Sequence, residues 1–252
     1  MKLEEVIRSL STPLEAKPPE VEIKLAELPG IRSVVFDVYG TLIISASGDI
    51  SPSLEKGEIP SLAAALESAR VGRETGAIEL AKRSKELLDE EMRKEHQKLR
   101  KQGVDYPEVE IREIWLAVFQ ELAKESYIQE LPSSNEIELL SVEYECRINP
   151  VWPMPGASKT LSRLAEKGYI LGIVSNAQFY TQQLFPALFS KKLSDLGFKE
   201  ELCTWSYEER VAKPSSRLYE ILRAKLEEEY SLKAQEVLYV GNDMLKDIYP
   251  AH

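Results

Sequence analysis

Along the chain the spacing of apolar residues switches between two regimes. Four short runs are almost purely apolar: Val34 to Phe36, "YILGIV" ending at Val174, "LCTWSY" from Leu202, and "VLYV" from Val237. Runs of that length, set between helical patterns, predict strands buried on both faces of a parallel sheet. Elsewhere apolar residues recur every three or four positions among dense charges, which predicts helices. These are "LEEVIRSL" near the start, "SLAAALESARVG", "AIELAKRSKELLDEEMRKEHQKLRKQG" closed by Gly103, and "YPEVEIREIWLAVFQELAKES". "SNEIELLSVEYECRI" follows with Ser134 or Asn135 as N-cap, then "ASKTLSRLAEKG", two stretches around 179 to 197, and "PSSRLYEILRAKLEEEY".

The order of these elements predicts an α/β chain with a doubly wound parallel sheet and a helical bundle inserted after its first strand. The expected divisions are an N-terminal helix and connector over 1–30, a core over 31–44 and 150–252, and a helical unit over 45–149. Pro13, Pro18, Pro19 and Pro29 forbid a continuous helix in the connector. The stretch from 45 to about 60 is small, polar and turn-rich, so it reads as a linker with Gly48 as a plausible hinge.

Each expected strand ends in polar residues. Asp37 follows the first, Ser175 and Asn176 the second, and Asn242 and Asp243 the last, while Lys213 precedes Pro214. Ligands of open parallel sheets bind outside the carboxyl ends of the strands, so these side chains are expected to converge on one pocket.

Composition narrows the chemistry. Thirty-two Lys and Arg against 42 Asp and Glu leave a net charge of −10, which argues against a nucleic-acid partner. No apolar run approaches the length of a membrane helix, and a charged N-terminus is unlike a signal peptide, so a cytoplasmic location is expected, without a membrane partner. Cys146 and Cys203 lack metal or redox spacing and read as reduced thiols. His96 and His252 are the only histidines, which nearly excludes an imidazole triad or a multi-histidine zinc site. Acid–base chemistry is left to carboxylates, lysine or tyrosine.

"FDVYGTL", "GIVSNA", "VAKPSSRLYE" and "VGNDMLKD" resemble, in order, the four motifs of the haloacid dehalogenase superfamily of hydrolases. The resemblance covers about 31–44 and 150–250, with a helical cap between the first two motifs as in many members. It implies that Asp37 is the nucleophile, that Ser175 and Lys213 hold the oxygens of an anionic substrate, and that Tyr39, Thr41 and Asn176 contact it. It implies a magnesium ion bound by Asp37, the Tyr39 carbonyl and Asp243, with Asn242 and Asp247 in support. The expected partner is a small anionic substrate, and the expected state a monomer or homodimer.

Two of these motifs point in different directions. Phosphatases of the superfamily usually place a second aspartate where Tyr39 stands, and general acid catalysis of that kind contributes ~10²–10⁴-fold. Dehalogenases carry tyrosine there, because halide departs without a proton. Asp243, however, would face Asp37, and two adjacent carboxylates call for a cation between them. Three readings stay open: magnesium-dependent phosphoryl hydrolysis through an aspartyl intermediate with a good leaving group, metal-independent 2-haloacid dehalogenation, and a catalytically weak binding protein on the same fold.

Arg70, Arg73 and Arg83 are candidates to reach an anion from the helical unit, though solvated helix charges are the simpler reading, and Trp115 and Phe119 read as its core. Relatives usually continue beyond "DIYPAH" with another strand and helix, so a truncated chain or an open sheet edge is expected.

Overall fold

The computed structural model describes residues 2–17, 22–46, 55–72 and 76–252. Helix α1 (Leu3–Leu10) buries Val6 and Ile7 against the main core, and a connector leads to β1 (Ser33–Phe36), all of whose residues are buried. Beyond β2 (Ile43–Ser45) come four helices: α2 (Glu55–Ser68), α3 (Ala77–Lys101), α4 (Ile111–Lys124) and α5 (Ser134–Ile148). Then follow β3 (Val151–Pro153), α6 (Ala157–Glu166), β4 (Ile170–Ser175), α7 (Thr181–Leu184) and β5 (Phe198–Trp205). The chain closes with α8 (Ser206–Glu209), α9 (Arg217–Tyr230), β6 (Val237–Val240) and α10 (Tyr249–Ala251).

Four strands form a parallel sheet in the order β5-β4-β1-β6. Alternation sends Val34 and Phe36 to one face, with Leu161 of α6 and Phe185, and Val35 to the other, with Leu218, Leu222 and Leu226 of α9. That two-sided burial is why the strands are apolar throughout. Phe36 pairs with Ile173 on one side and Val240 on the other, so β1, β4 and β6 end at nearly the same level. Successive strands run outward from β1 through β4 to β5, and the chain then crosses to β6, so the winding reverses beside β1. Asp37 emerges at that reversal.

Helices α2 to α5 enclose a separate cluster that includes Leu66, Leu80, Phe119, Leu122 and Leu140. Trp115 stacks on Phe119 with ring centroids 5.9 Å apart and meets Tyr144 edge-on at 6.2 Å, as the apolar stripe predicts. The chain leaves the sheet through β2 and returns through β3, and the two pair antiparallel. This short ribbon had no clear signal in the sequence.

Three local expectations shift. Helix α2 begins at Glu55, inside the stretch read as linker, despite Gly57 and Pro60; the Gly48 hinge lies outside the described residues. The N-cap of α5 is Ser133, which forms a capping box with Glu136, rather than Ser134 or Asn135. Strand β5 starts four residues before Leu202, because the register shift between β4 and β5 accommodates the polar stretch Lys199–Glu201 at the sheet edge.

Candidate functional site

Asp37, Ser175 and Lys213 come together although they are 138 and 176 residues apart along the chain. The Asp37 backbone N–H donates to Val240 O at 2.9 Å, which continues the β1–β6 ladder one residue past the strand and fixes where the carboxylate begins. Its Oδ1 accepts from Ser175 Oγ at 2.9 Å and from Lys213 Nζ at 2.7 Å. Oδ2 takes no hydrogen bond from any described residue. The carboxylate is therefore oriented through one oxygen and left available through the other.

Lys213 is shared. Its Nζ also lies 2.5 Å from Asp247 Oδ1, so a single ammonium joins two carboxylates. The three residues are 5%, 5% and 1% exposed in the order Asp37, Lys213, Asp247. Tyr239 completes the cluster, donating to Val174 O at 3.1 Å or Asp247 Oδ1 at 3.0 Å. Burial pushes the Asp37 carboxyl above its ordinary range, against the pull of Lys213.

Two glycines make the approach possible. Gly40 has φ +82, and a Cβ there would fall 2.4 Å from the Asn242 side chain, so only glycine lets the turn after Asp37 pack on the loop after β6. A Cβ at Gly241 would lie 2.5 Å from the Asp247 carboxyl group. Asp247 instead tucks under that loop, and its Oδ2 accepts from the N–H groups of Asn242 and Asp243 at 3.0 Å each. The support expected of Asp247 thus goes to Lys213 and to the loop backbone.

Asp243 lines the same cavity as Asp37. Its Oδ1 accepts from Leu245 N and Lys246 N at 2.8 Å each, and the backbone N–H of Lys246 is the main cause that holds its carboxyl below the usual range. Oδ2 takes no hydrogen bond from a described residue. The turn at Gly40 uses Val38 O and Ile43 O as acceptors and not Tyr39 O. Two carboxylate oxygens and a carbonyl are hard donors of the kind magnesium takes, with water completing its shell. Among the described residues no three Asp, Glu, His or Cys side chains cluster closely enough to hold an ion. The residues present fit an ion held by two carboxylates and backbone, not one caged by protein.

The other expected residues divide. The Asn176 side chain is spent on Lys213, accepting from its backbone N–H at 2.7 Å and donating to its carbonyl at 3.2 Å. The side chain thus positions the lysine, while Asn176 itself lines the cavity, where the resemblance implies a contact through its backbone. The Thr41 hydroxyl is buried without a hydrogen-bond partner among the described residues, and Thr41 is not among the residues that line the cavity. Tyr39 borders the cavity, but its hydroxyl lies 2.8 Å from Thr181 Oγ1 and its ring packs beside Ile7, Val142 and Leu184. Burial raises this phenol well above its ordinary value, so it is a poor proton donor. Arg83 is paired outward with Glu86 and Glu125, Arg70 is exposed away from the cavity, and Arg73 lies outside the described residues. Cys146 and Cys203 are free and buried, as expected.

The cavity measures about 530 Å³ and lies between the strand ends and helices α2 to α5. Segment 106–113 ties the helices to the sheet at its mouth. Pro107 bridges Val211 antiparallel, Ala212 N donates to Tyr106 O at 2.7 Å, and Arg210 pairs with Glu113. Gln178 accepts from Ile111 N at 3.0 Å and donates to Val109 O at 2.8 Å. Glu108 receives Ser206 Oγ at 3.0 Å, and burial pushes its carboxyl up, as it does that of Glu145 on α5. Tyr239, Gln178, Glu108 and Glu145 carried no distinguishing signal in the sequence. An acid in a charged segment or a tyrosine in an apolar strand is ordinarily solvated or core.

Among solved structures, the chain is similar to a 2-haloacid dehalogenase from Pseudomonas syringae pv. tomato, at 21% identity and TM-score 0.50 over 88% of this chain and 82% of that one. A family enzyme from Bacteroides thetaiotaomicron follows at 14% identity and TM-score 0.49, covering 88% and 89%. A predicted phosphoglycolate phosphatase from Haemophilus somnus matches at 17% identity and TM-score 0.41, covering 90% and 83%. At 21% identity the first of these likenesses speaks to the fold alone. No curated protein sequence matches the chain. Among the described residues no helix is long and apolar enough to cross a membrane. The family model described as haloacid dehalogenase-like hydrolase matches residues 31–251, from the residues just before β1 through the last helix, and the chain belongs to that family of hydrolases.

Proposed function

We propose that the protein hydrolyses small phosphate or acyl-phosphate compounds with magnesium, through a covalent intermediate on Asp37. The observation that carries this reading is the placement of the Asp37 carboxylate, with Oδ1 held by Ser175 and Lys213, Oδ2 unbonded by any described residue, and Asp243 lining the same cavity. Asp37 attacks phosphorus and the bond to the leaving oxygen breaks. Water then cleaves the aspartyl phosphate, returning the carboxylate and releasing phosphate. Lys213, with a third ammonium proton beyond those given to Asp37 and Asp247, holds the carboxylate during attack and donates to the phosphoryl oxygens, while Ser175 turns its single hydroxyl proton from Asp37 to those oxygens as they gather charge. Asp37, the Tyr39 carbonyl and Asp243 would hold magnesium, which would supply charge neutralisation for the carboxylate and phosphoryl group brought together.

With its phenol held by Thr181 and packed among apolar neighbours, Tyr39 does not protonate the leaving group. The reading therefore favours leaving groups of low basicity, such as acyl and aryl phosphates. In it, residues 31–44 and 150–252 are the catalytic core and residues 45–149 a cap that shuts water out of the covalent step.

Magnesium-dependent phosphate release from an aryl phosphate, lost in Asp37→Asn, supports the proposal. Tyr39 also favours a second reading, because a dehalogenase needs no acid at that position. Halide release from a 2-haloalkanoate in EDTA, without phosphatase activity, would replace the first reading with that one.

A further inference from the structure

The far wall of the cavity comes from the helical unit and differs in character from the catalytic rim. Leu88 and Met92 of α3, Trp115 of α4 and Tyr144 and Ile148 of α5 give it apolar and aromatic surface. Lys85 is the one cation this unit contributes to the lining among the described residues, and it is already matched. Its Nζ lies 2.7 and 2.8 Å from the two carboxylate oxygens of Asp89, one turn on, and 3.4 Å from Glu58 of α2. Glu108 and Glu145 add further carboxyl groups without adding a cation. A substrate phosphoryl group at Asp37 leaves the rest of the molecule against this wall. An apolar group there buries surface against the half-buried Met92 and Ile148, which Leu88, Trp115 and Tyr144 back from the core. A second anion on this wall meets carboxyl groups and has to displace Asp89 or Glu58 before it reaches Lys85; the other lysines that line the cavity, Lys213 and Lys246, belong to the sheet side, where the phosphoryl group sits.

Resting on the phosphoryl-transfer reading, we infer that the cavity selects phosphate compounds whose leaving group carries no anionic substituent, and that the Glu58–Lys85–Asp89 arrangement enforces this. The substrate class is aryl or acyl phosphates whose leaving group is otherwise uncharged, and phosphate compounds that also carry a free carboxylate are rejected.

Phenyl phosphate and para-carboxyphenyl phosphate are matched in shape and leaving-group chemistry and differ by one remote charge. Wild-type protein with magnesium should show kcat/KM at least tenfold lower for the carboxylated ester, with the difference in KM. Glu58→Gln combined with Asp89→Asn frees Lys85 and should narrow the gap to threefold or less. Adding Lys85→Met to that double variant should reopen it. NMR titration of Asp37→Asn with the same two esters reads the preference as a ratio of Kd values without turnover, and circular dichroism confirms folding of each variant. Equal kcat/KM or Kd for both esters, or a gap unmoved by the double variant, overturns the inference. If wild-type protein turns over neither ester while Asp37→Asn keeps the tenfold binding preference, the phosphatase reading fails and the selectivity stands.

Discussion

Replacing Lys213 by methionine tests the electrostatics at the centre of the molecule. The side chain keeps its length and apolar stem, so packing changes little, but Asp37 and Asp247 lose the one ammonium that, among the described residues, lies within hydrogen-bond distance of either. Both are almost wholly buried. Breaking a buried pair by removing one partner costs about 3–5 kcal/mol. Protonation of one carboxylate limits that cost. From a reference value near 3.9, neutralising one aspartate at pH 7 costs about 4 kcal/mol and at pH 5 about 1.5 kcal/mol, at roughly 1.4 kcal/mol per unit. The sign follows from the direction of the shift. Without the ammonium the folded-state carboxyl titrates above its unfolded value, so the penalty is absent below that value and grows as pH rises. For a chain of this size each kcal/mol moves Tm by about 2–4 °C. Scanning calorimetry in EDTA should therefore show Lys213→Met melting about 8–16 °C below wild type at pH 7 and about 3–6 °C below it at pH 5. Adding Asp247→Asn should recover part of the loss. An equal deficit at both pH values, or one under about 3 °C at pH 7, would refute the account of a single shared ammonium.

Other consequences can be checked in parallel. Tyr39→Phe keeps the ring and deletes only the bond to Thr181, so kcat on an aryl phosphate should stay within about threefold and stability fall by about 1 kcal/mol; a loss approaching a hundredfold would show the hydroxyl at work in the reaction. Gly241→Ala drives a methyl into the Asp247 carboxyl group, which should reduce kcat/KM at least tenfold while the chain still folds, and wild-type rates would remove Asp247 from the positioning of Lys213. Burial raises the Asp37 carboxyl, so ionising it costs folding free energy above its unfolded value. In EDTA, Asp37→Asn should therefore melt above wild type at pH 8, with the advantage vanishing below about pH 4. An advantage independent of pH would point to packing.

What could be read from the sequence was local in origin. Asp37, Ser175 and Asn242 stand out because an apolar run that stops abruptly at a polar residue marks a buried strand end, and the shared level of those ends is set by the parallel register. Packing decided what the sequence left open. Nothing in "SNA" indicates that the Asn176 amide clamps the Lys213 backbone, since the partner lies 37 residues away. That the Tyr39 hydroxyl pairs with Thr181, 142 residues on, and that the residue packs against the main core also depend on partners distant in sequence. Segment 106–113 and its bridge to Val211 were invisible for the same reason. Arg83 is paired with neighbouring glutamates and Arg70 is exposed away from the cavity, as the simpler reading of solvated helix charges has it, and the lysine that does face the cavity, Lys85, sits in a run of alternating charges that reads as solvated helix. Gly57 and Pro60 hid the first turns of α2, because propensity disfavours a helix that tertiary contacts nevertheless hold.

The central claim is that the Asp37 carboxylate forms the covalent bond, and trapping that bond is its most direct test. Wild-type protein would be mixed with magnesium and an aryl or acyl phosphate, quenched in acid within the first turnovers, digested, and mapped by mass spectrometry. The account predicts one phosphoryl group on the peptide containing Asp37, lost on adding hydroxylamine and absent from Asp37→Asn. Phosphate release that continues in Asp37→Asn, or a phosphoryl group found on another residue, would contradict it.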